Sequence, residues 1–159
     1  MADIHNVFIS HFNDDDESLH SLKSRLNNIG CTVRNSSIEK KDYRDKRVND
    51  STIARELRAG IKWAGTVIVL IGEHTHERPW VNYEIRNAYL QGKNIVGIFK
   101  NGCKDKVELP EAFKRYGGPT LGWRSLDKLS DIMNGKCPSP ESPSGNPREP
   151  IYNIIHIKC

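Results

Sequence analysis

The sequence predicts a three-layer α/β domain in which a parallel sheet of four to five strands carries helices on both faces. Two observations support this prediction. Short apolar runs alternate with amphipathic stretches of helical period over most of the chain. The run at 66–71 is continuous and rich in β-branched residues, which is typical of a strand buried on both faces. Such a βαβαβαβ alternation joins parallel strands through right-handed crossovers.

The first half of the chain contains two short predicted strands, at 6–10 and 31–33, with a helix between them. Asn13 or Asp14 can cap this helix, and Gly30 is suited to end it. Leu19, Leu22, Leu26 and Ile29 share one face and predict its buried side. A polar loop at 34–50 follows.

The second half begins with an amphipathic helix at 51–64, since Ile53, Leu57 and Ile61 recur every four residues. After the strand at 66–71, Pro79 suits the first turn of a helix that Gly92 ends. The buried face of that helix should carry Val81, Ile85 and Ala88. The remaining predicted elements are a strand at 95–99, a short helix at 110–116, a last strand at 121–123 and a helix at 125–133.

The chain divides into three predicted segments. Residues 1–133 form the α/β domain, and 134–150 are a Pro/Ser/Gly-rich linker. The apolar tail at 151–159 is expected to be a strand or arm that packs on the domain or on a partner.

Net charge, the absence of targeting segments and the cysteine pattern limit the functions that the sequence can have. A net charge of +4 in 159 residues allows an anionic ligand but does not favour nucleic acid. No signal peptide or bilayer-spanning run is recognisable, so a cytoplasmic protein without membrane contact is expected. The four cysteines have no CxxC spacing and are expected to be free thiols, and His74 and His76 lack supporting ligands, so no metal is expected. The basic run at 40–47 is best explained as a solvated loop.

Open parallel sheets bind ligands at the carboxyl ends of their strands. Three segments follow predicted strands in this way, at 10–13, 34–37 and 75–84. Ser10 and His11 could bind a ribose or phosphate, or could simply cap a loop. One cation and three short polar side chains could cradle a phosphate or form an ordinary turn, namely Arg34, Asn35, Ser36 and Ser37.

The third segment places Trp80 and Glu84 four residues apart on one helix face, beside its apolar stripe. Glu84 should therefore lie at a crevice edge and be partly desolvated. A single carboxylate beside a pocket wall suits an oxocarbenium-like transition state, and the indole of Trp80 can stack on a planar heterocycle. The alternative is that Glu84 is an ordinary solvated charge on a helix.

These segments together resemble the TIR-like domains of bacterial anti-phage defence, in particular the sensor protein of Thoeris systems. The resemblance covers roughly residues 5–133. It rests on VFISH at 7–11, VRNSSI at 33–38, and above all IKWAGTVIVLIG at 61–72 followed by RPWVNYEI at 78–85. The chain departs from other TIR domains at Val81, where Cys is common, and lacks a Pro-Gly tip in the loop after the second strand.

The resemblance implies a flavodoxin-like fold and an enzyme that cleaves the nicotinamide–ribose bond of NAD⁺. NAD⁺ is then the substrate, and no separate cofactor is implied. Glu84 matches the catalytic glutamate and Trp80 the aromatic residue of the family's W-x-x-x-E pattern. The pocket-lining segments match Ser10, His11 and Asn35–Ser37. The product would be a cyclic or modified ADP-ribose, a diffusible signal for a separate effector, and a homo-oligomer and a phage-derived trigger are expected.

Two other functions fit the same sequence. A deoxyribosyltransferase-like enzyme would also cleave an N-glycosidic bond on a similar fold. A non-enzymatic TIR-like module would act only by assembling with partners.

Overall fold

A computed structural model describes residues 3–11, 16–35, 50–102, 107–133, 140–143 and 145. It contains a five-stranded sheet in which every pairing is parallel. The strands follow the order β2-β1-β3-β4-β5 across the sheet. Their bounds are β1 Asp3–Ser10, β2 Thr32–Asn35, β3 Ala64–Ile71, β4 Asn94–Phe99 and β5 Thr120–Leu121.

The connections between strands carry the helices. Short 3₁₀ turns at Thr75–Glu77 and Trp123–Lys128 precede the helices that follow β3 and β5. The helix bounds are α1 Asp16–Asn28, α2 Asp50–Trp63, α3 Pro79–Leu90, α4 Glu111–Tyr116 and α5 Leu129–Met133.

Strand alternation sends successive side chains to two separate cores. One face packs against α1 and α5, where Leu22 and Ile132 meet strand residues such as Ile9. The opposite face packs against α2, α3 and α4, where Leu57 and Ile85 lie in the core with Phe8. The fold is therefore the predicted three-layer α/β sandwich, and its strand order is that of flavodoxin-like domains.

The element types predicted from the sequence are confirmed, with shifts of a few residues at their ends. Gly30 does terminate the first helical segment, with φ of +91°. The prediction for Ile29 was wrong. Because α1 ends at Asn28, Ile29 lies beyond the buried stripe, and 41% of it is exposed.

The strand order places a topological switch between β1 and β3. The chain leaves β1 towards β2 at one edge, whereas β3 leads on to β4 and β5 at the other. In open parallel sheets, adjacent connections diverge from the carboxyl ends of two such strands, and ligands bind in the crevice between them.

Part of the segment predicted to be a linker lies against the domain. The backbone N–H of Glu141 donates to the carbonyl of Thr120 at 2.8 Å, beside β5. The Glu141 carboxylate accepts from the backbone N–H of Gly122 at 3.1 Å and from Lys128 Nζ at 2.5 Å. The division at 134 and the arm at 151–159 stay predictions, since 134–139 and 151–159 lie outside the described residues.

Candidate active site

Two buried polar side chains meet at the topological switch. Ser10 is the last residue of β1, where it pairs in register with Val69 of β3. Glu84 lies in the second turn of α3. The hydroxyl of Ser10 donates to Oε1 of Glu84 at 3.1 Å, and neither residue is more than 1% exposed. This contact joins the carboxyl end of β1 to the helix after β3.

Helix geometry explains why Glu84 is buried so completely. Pro79 occupies the first turn of α3, and the buried residues of the helix are Val81, Glu84, Ile85 and Ala88. This spacing places Glu84 within the buried stripe. The expectation of a partly desolvated carboxyl beside the stripe therefore underestimated its burial. The expectation that Glu84 is only a solvated surface charge was wrong.

Burial changes the chemistry of this carboxyl group. Loss of hydration raises the pKa of Glu84 to about 8, although the hydrogen bond from Ser10 lowers it in part. Oε2 of Glu84 is buried and accepts no hydrogen bond from any residue that the structure describes. A buried polar atom without a partner is costly, and a carboxyl that titrates near neutrality is characteristic of functional sites.

Trp80 lies one turn before Glu84 on the same face of α3. Its half-buried ring packs against the α2/α3 core and meets Tyr83 edge-to-face, with centroids 5.3 Å apart. Tyr83 in turn connects two helices, because its hydroxyl accepts from Arg58 at 2.8 Å and donates to the carbonyl of Ala54 at 3.4 Å. This role of Tyr83 was not predicted from the sequence, although the i, i+3 spacing of Tyr83 from Trp80 could have suggested it.

The loop after β3 is also held in place by a buried side chain. Thr75 Oγ1 accepts from the backbone N–H of Gly72 at 2.9 Å and donates to the carbonyl of Leu70 at 3.4 Å. This side chain closes the turn between the end of β3 and the start of α3. Thr75 was not singled out from the sequence, although threonine hydroxyls commonly form such turns.

The remaining predicted site residues lie in different parts of the chain, and not all of them are described by the structure. His11 directly follows Ser10 and is half-buried. Asn35 ends β2 and pairs in register with Ile9. Ser36 and Ser37 lie outside the described residues, as does the basic run at 40–47.

Arg34 does not join this group, and its predicted position in a loop was wrong. It lies within β2 opposite Phe8, and its guanidinium stacks 4.4 Å from the centroid of the Trp63 ring. Trp63 precedes β3, and its carbonyl accepts from Asn6 Nδ2 at 3.3 Å. Asn6 lies four residues before Ser10, or about 13 Å along the strand. The cation–π contact therefore turns Arg34 towards the amino end of the sheet.

A cavity of about 530 Å³ lies between α2 and β2. Its lining includes Phe8, Arg34, Glu56 and Leu57. It opens on the same face of the sheet as Ser10, because Phe8 and Ser10 alternate with Ile9 along β1. Neither Ser10 nor Glu84 contributes to its lining.

In the part of the chain that the structure describes, no three His, Cys, Asp or Glu residues are grouped closely enough to hold a metal ion. His74 and His76 instead lie near the carboxylate of Glu77, at 3.3 and 3.9 Å. Cys31 is buried, and the other three cysteines fall outside the described residues. Among the described helices, none has the length and apolar character needed to cross a membrane.

The strand order and the helices on both faces define a flavodoxin-like α/β domain. The family model of the Thoeris protein ThsB, TIR-like domain, matches residues 8–105, and the chain belongs to this family. The match includes the end of β1 and all of β3 and α3, and with them Ser10, Trp80 and Glu84.

A relative from Bacillus cereus (strain MSX-D12) carries the name "Putative cyclic ADP-D-ribose synthase ThsB1". The chain is 38% identical to it over 61 residues, which make up 38% of this chain and 32% of the relative. The match therefore spans about a third of that protein's length.

Proposed function

We propose that this protein cleaves the nicotinamide–ribose bond of NAD⁺ and forms a cyclic or modified ADP-ribose that signals to a separate effector in anti-phage defence. The observation that carries the proposal is the buried Glu84 carboxyl, oriented by Ser10 at the crevice between β1 and β3. The name of the Bacillus cereus relative, a cyclic ADP-D-ribose synthase, supports the same reaction class.

Glu84 would act on the charge that develops during bond cleavage. As nicotinamide leaves with the electrons of the C–N bond, positive charge spreads over C1 and the ring oxygen of the ribose. A carboxylate close to that charge stabilises it, and the effect is strong in a site that excludes water. Oε2 of Glu84 accepts no hydrogen bond from the described residues and would take one from a ribose hydroxyl.

Substrate binding would also set the protonation state of Glu84. With its pKa raised to about 8, the carboxyl is mainly protonated at neutral pH. The pyridinium ring of NAD⁺ carries a positive charge, and a neighbouring positive charge favours the carboxylate form. Binding of the oxidised dinucleotide would therefore favour the ionised form that the cleavage step requires.

Trp80 would form a wall of the nicotinamide site, in line with its position one turn before Glu84. His11 and the 35–37 segment would contact the rest of the dinucleotide. Arg34 is not included, because its guanidinium is engaged with Trp63. NAD⁺ would be the substrate, with no further cofactor, and the homo-oligomer, the phage-derived trigger and the cytoplasmic location remain predictions.

The function is tested in infected cells, where any trigger is present. Cells that express the wild-type chain or Glu84→Gln are infected, and their small molecules are compared by mass spectrometry. The proposal predicts loss of NAD⁺ and a new ADP-ribose derivative with the wild type only. An identical metabolite profile in both cultures would remove Glu84 from the mechanism. Incubation of the purified chain with deoxynucleosides and free bases tests the deoxyribosyltransferase alternative.

A further inference from the structure

We propose that Ser10 is a positioning residue, which holds Oε1 of Glu84 and thereby leaves Oε2 to meet the ligand. This inference rests on the proposed function and refines it. It replaces the expectation that Ser10 itself binds a ribose or phosphate.

The hydroxyl of Ser10 is already engaged with Glu84. Both residues are buried, and the backbone of Ser10 lies in β1 between β2 and β3. A serine hydroxyl has a single proton to donate, and here that proton is directed to Oε1 of Glu84 at 3.1 Å. A ligand would have to displace Glu84 to take that hydrogen bond.

The two carboxyl oxygens of Glu84 differ in their hydrogen bonding, so each can have a separate role. Oε1 accepts from Ser10, whereas Oε2 is buried and has no hydrogen-bond partner among the described residues. In the ionised form each carboxylate oxygen can accept up to two hydrogen bonds, so Oε2 is then available to accept from a ligand. A group held at one end and unengaged at the other is pre-organised for a ligand, and it avoids the entropy cost of ordering a free side chain.

The packing around this pair gives no structural reason for a carboxyl group. Glu84 occupies a position within the apolar stripe of α3, between Val81 and Ile85. An apolar residue there would avoid the cost of burying a carboxyl group. The hydrogen bond from the Ser10 hydroxyl offsets part of this cost. Within the described residues, it is the only polar contact that Glu84 makes.

The test compares Ser10→Ala, which removes the donor, with Ser10→Thr, which retains a hydroxyl and suits a strand. Thr66→Ala is a matched control, because it deletes another buried hydroxyl from the same sheet. The first measurement is NAD⁺ cleavage under the conditions in which the wild type is active. Ser10→Ala should lower kcat by about 10- to 100-fold with little change in KM, since it misplaces a group that acts in the transition state. Ser10→Thr should recover part of the lost rate.

The second measurement does not depend on activity. The infrared band of the protonated Glu84 carboxyl, identified by its absence in Glu84→Gln, is titrated against pH in each protein. Burial and the Ser10 hydrogen bond are the influences on this pKa in the described residues. Loss of the hydroxyl should therefore raise the midpoint, by about one pH unit for a hydrogen bond to a charged group. Thr66→Ala should leave it at the wild-type value.

Two outcomes would overturn the inference. One is a Ser10→Ala variant whose KM rises while kcat and the infrared midpoint stay unchanged, which would make Ser10 a substrate ligand. The other is an unchanged midpoint and an unchanged rate. If the wild type does not cleave NAD⁺ at all, the proposed function fails, and the infrared titration alone then decides whether Ser10 positions Glu84.

Discussion

Replacing Glu84 with glutamine should stabilise the protein at alkaline pH while changing its stability little at acidic pH. Burial raises the pKa of Glu84 from an ordinary 4.5 to about 8, so the folded state binds this proton more tightly than the unfolded state does. The favourable contribution is complete below pH 4.5, falls as the pH rises, and is lost above pH 8. At 1.36 kcal/mol per pKa unit, the full change is roughly 5 kcal/mol.

Urea unfolding of wild type and Glu84→Gln, followed by circular dichroism at several pH values, measures this difference. The glutamine side chain is neutral throughout, so the two free energies of unfolding should be similar near pH 4.5 and diverge by several kcal/mol by pH 8.5, with glutamine the more stable. Glu73→Gln is the matched control, because it makes the same substitution at an exposed position. Parallel stability curves for wild type and Glu84→Gln would refute the assignment of a buried, protonated carboxyl.

Three further substitutions test the packing around the site. Thr75→Val should lower the free energy of unfolding by about 1–3 kcal/mol because it leaves the Gly72 amide without its side-chain acceptor, and Thr75→Ser should restore most of it. Gly97→Ala should cost about 1–3 kcal/mol, since the added Cβ would lie 2.7 Å from Phe113 Cζ; an unchanged thermal midpoint would contradict this. Glu141→Gln should destabilise the chain by about 1–3 kcal/mol at pH 7. This effect should fade as the pH falls below 4.5, because burial raises the pKa of Glu141 but the hydrogen bonds that it accepts from Lys128, Ser125 and Gly122 lower it by more. Chemical unfolding at pH 7 and pH 3 checks that dependence.

Much of the fold could be predicted because the pattern of apolar residues and the positions of proline and glycine indicate the same helices and strands. The continuous apolar run of β3 is buried on both faces, as its composition indicates. The helix α3 begins at Pro79, because the fixed φ angle of proline suits the first turn of a helix. Boundaries were less certain because they depend on partners distant in sequence. Arg34 and Asn35 were predicted to begin a polar loop, yet pairing with Phe8 and Ile9 extends β2 through them.

The site was predictable in its central residue but not in its contacts. Glu84 could be found because the W-x-x-x-E spacing follows a buried strand. Its complete burial agrees with its i, i+3 spacing from Val81 within the buried stripe, but a carboxyl group is rarely assigned to a core position. The Ser10–Glu84 bond joins residues 74 positions apart, and the docking of Glu141 beside β5 joins residues 21 apart. Contacts of this kind depend on tertiary packing and cannot be predicted from a local sequence pattern.

The central claim is that the sheltered carboxyl of Glu84 drives cleavage of NAD⁺. Its most direct test is the rate of nicotinamide release from NAD⁺ by matched preparations of wild type and Glu84→Gln, assayed under conditions in which the wild type turns over. We expect the substitution to reduce kcat at least about 100-fold, as for other positioned charge-stabilising or acid–base groups. Equal rates of nicotinamide release by the two proteins would contradict the claim.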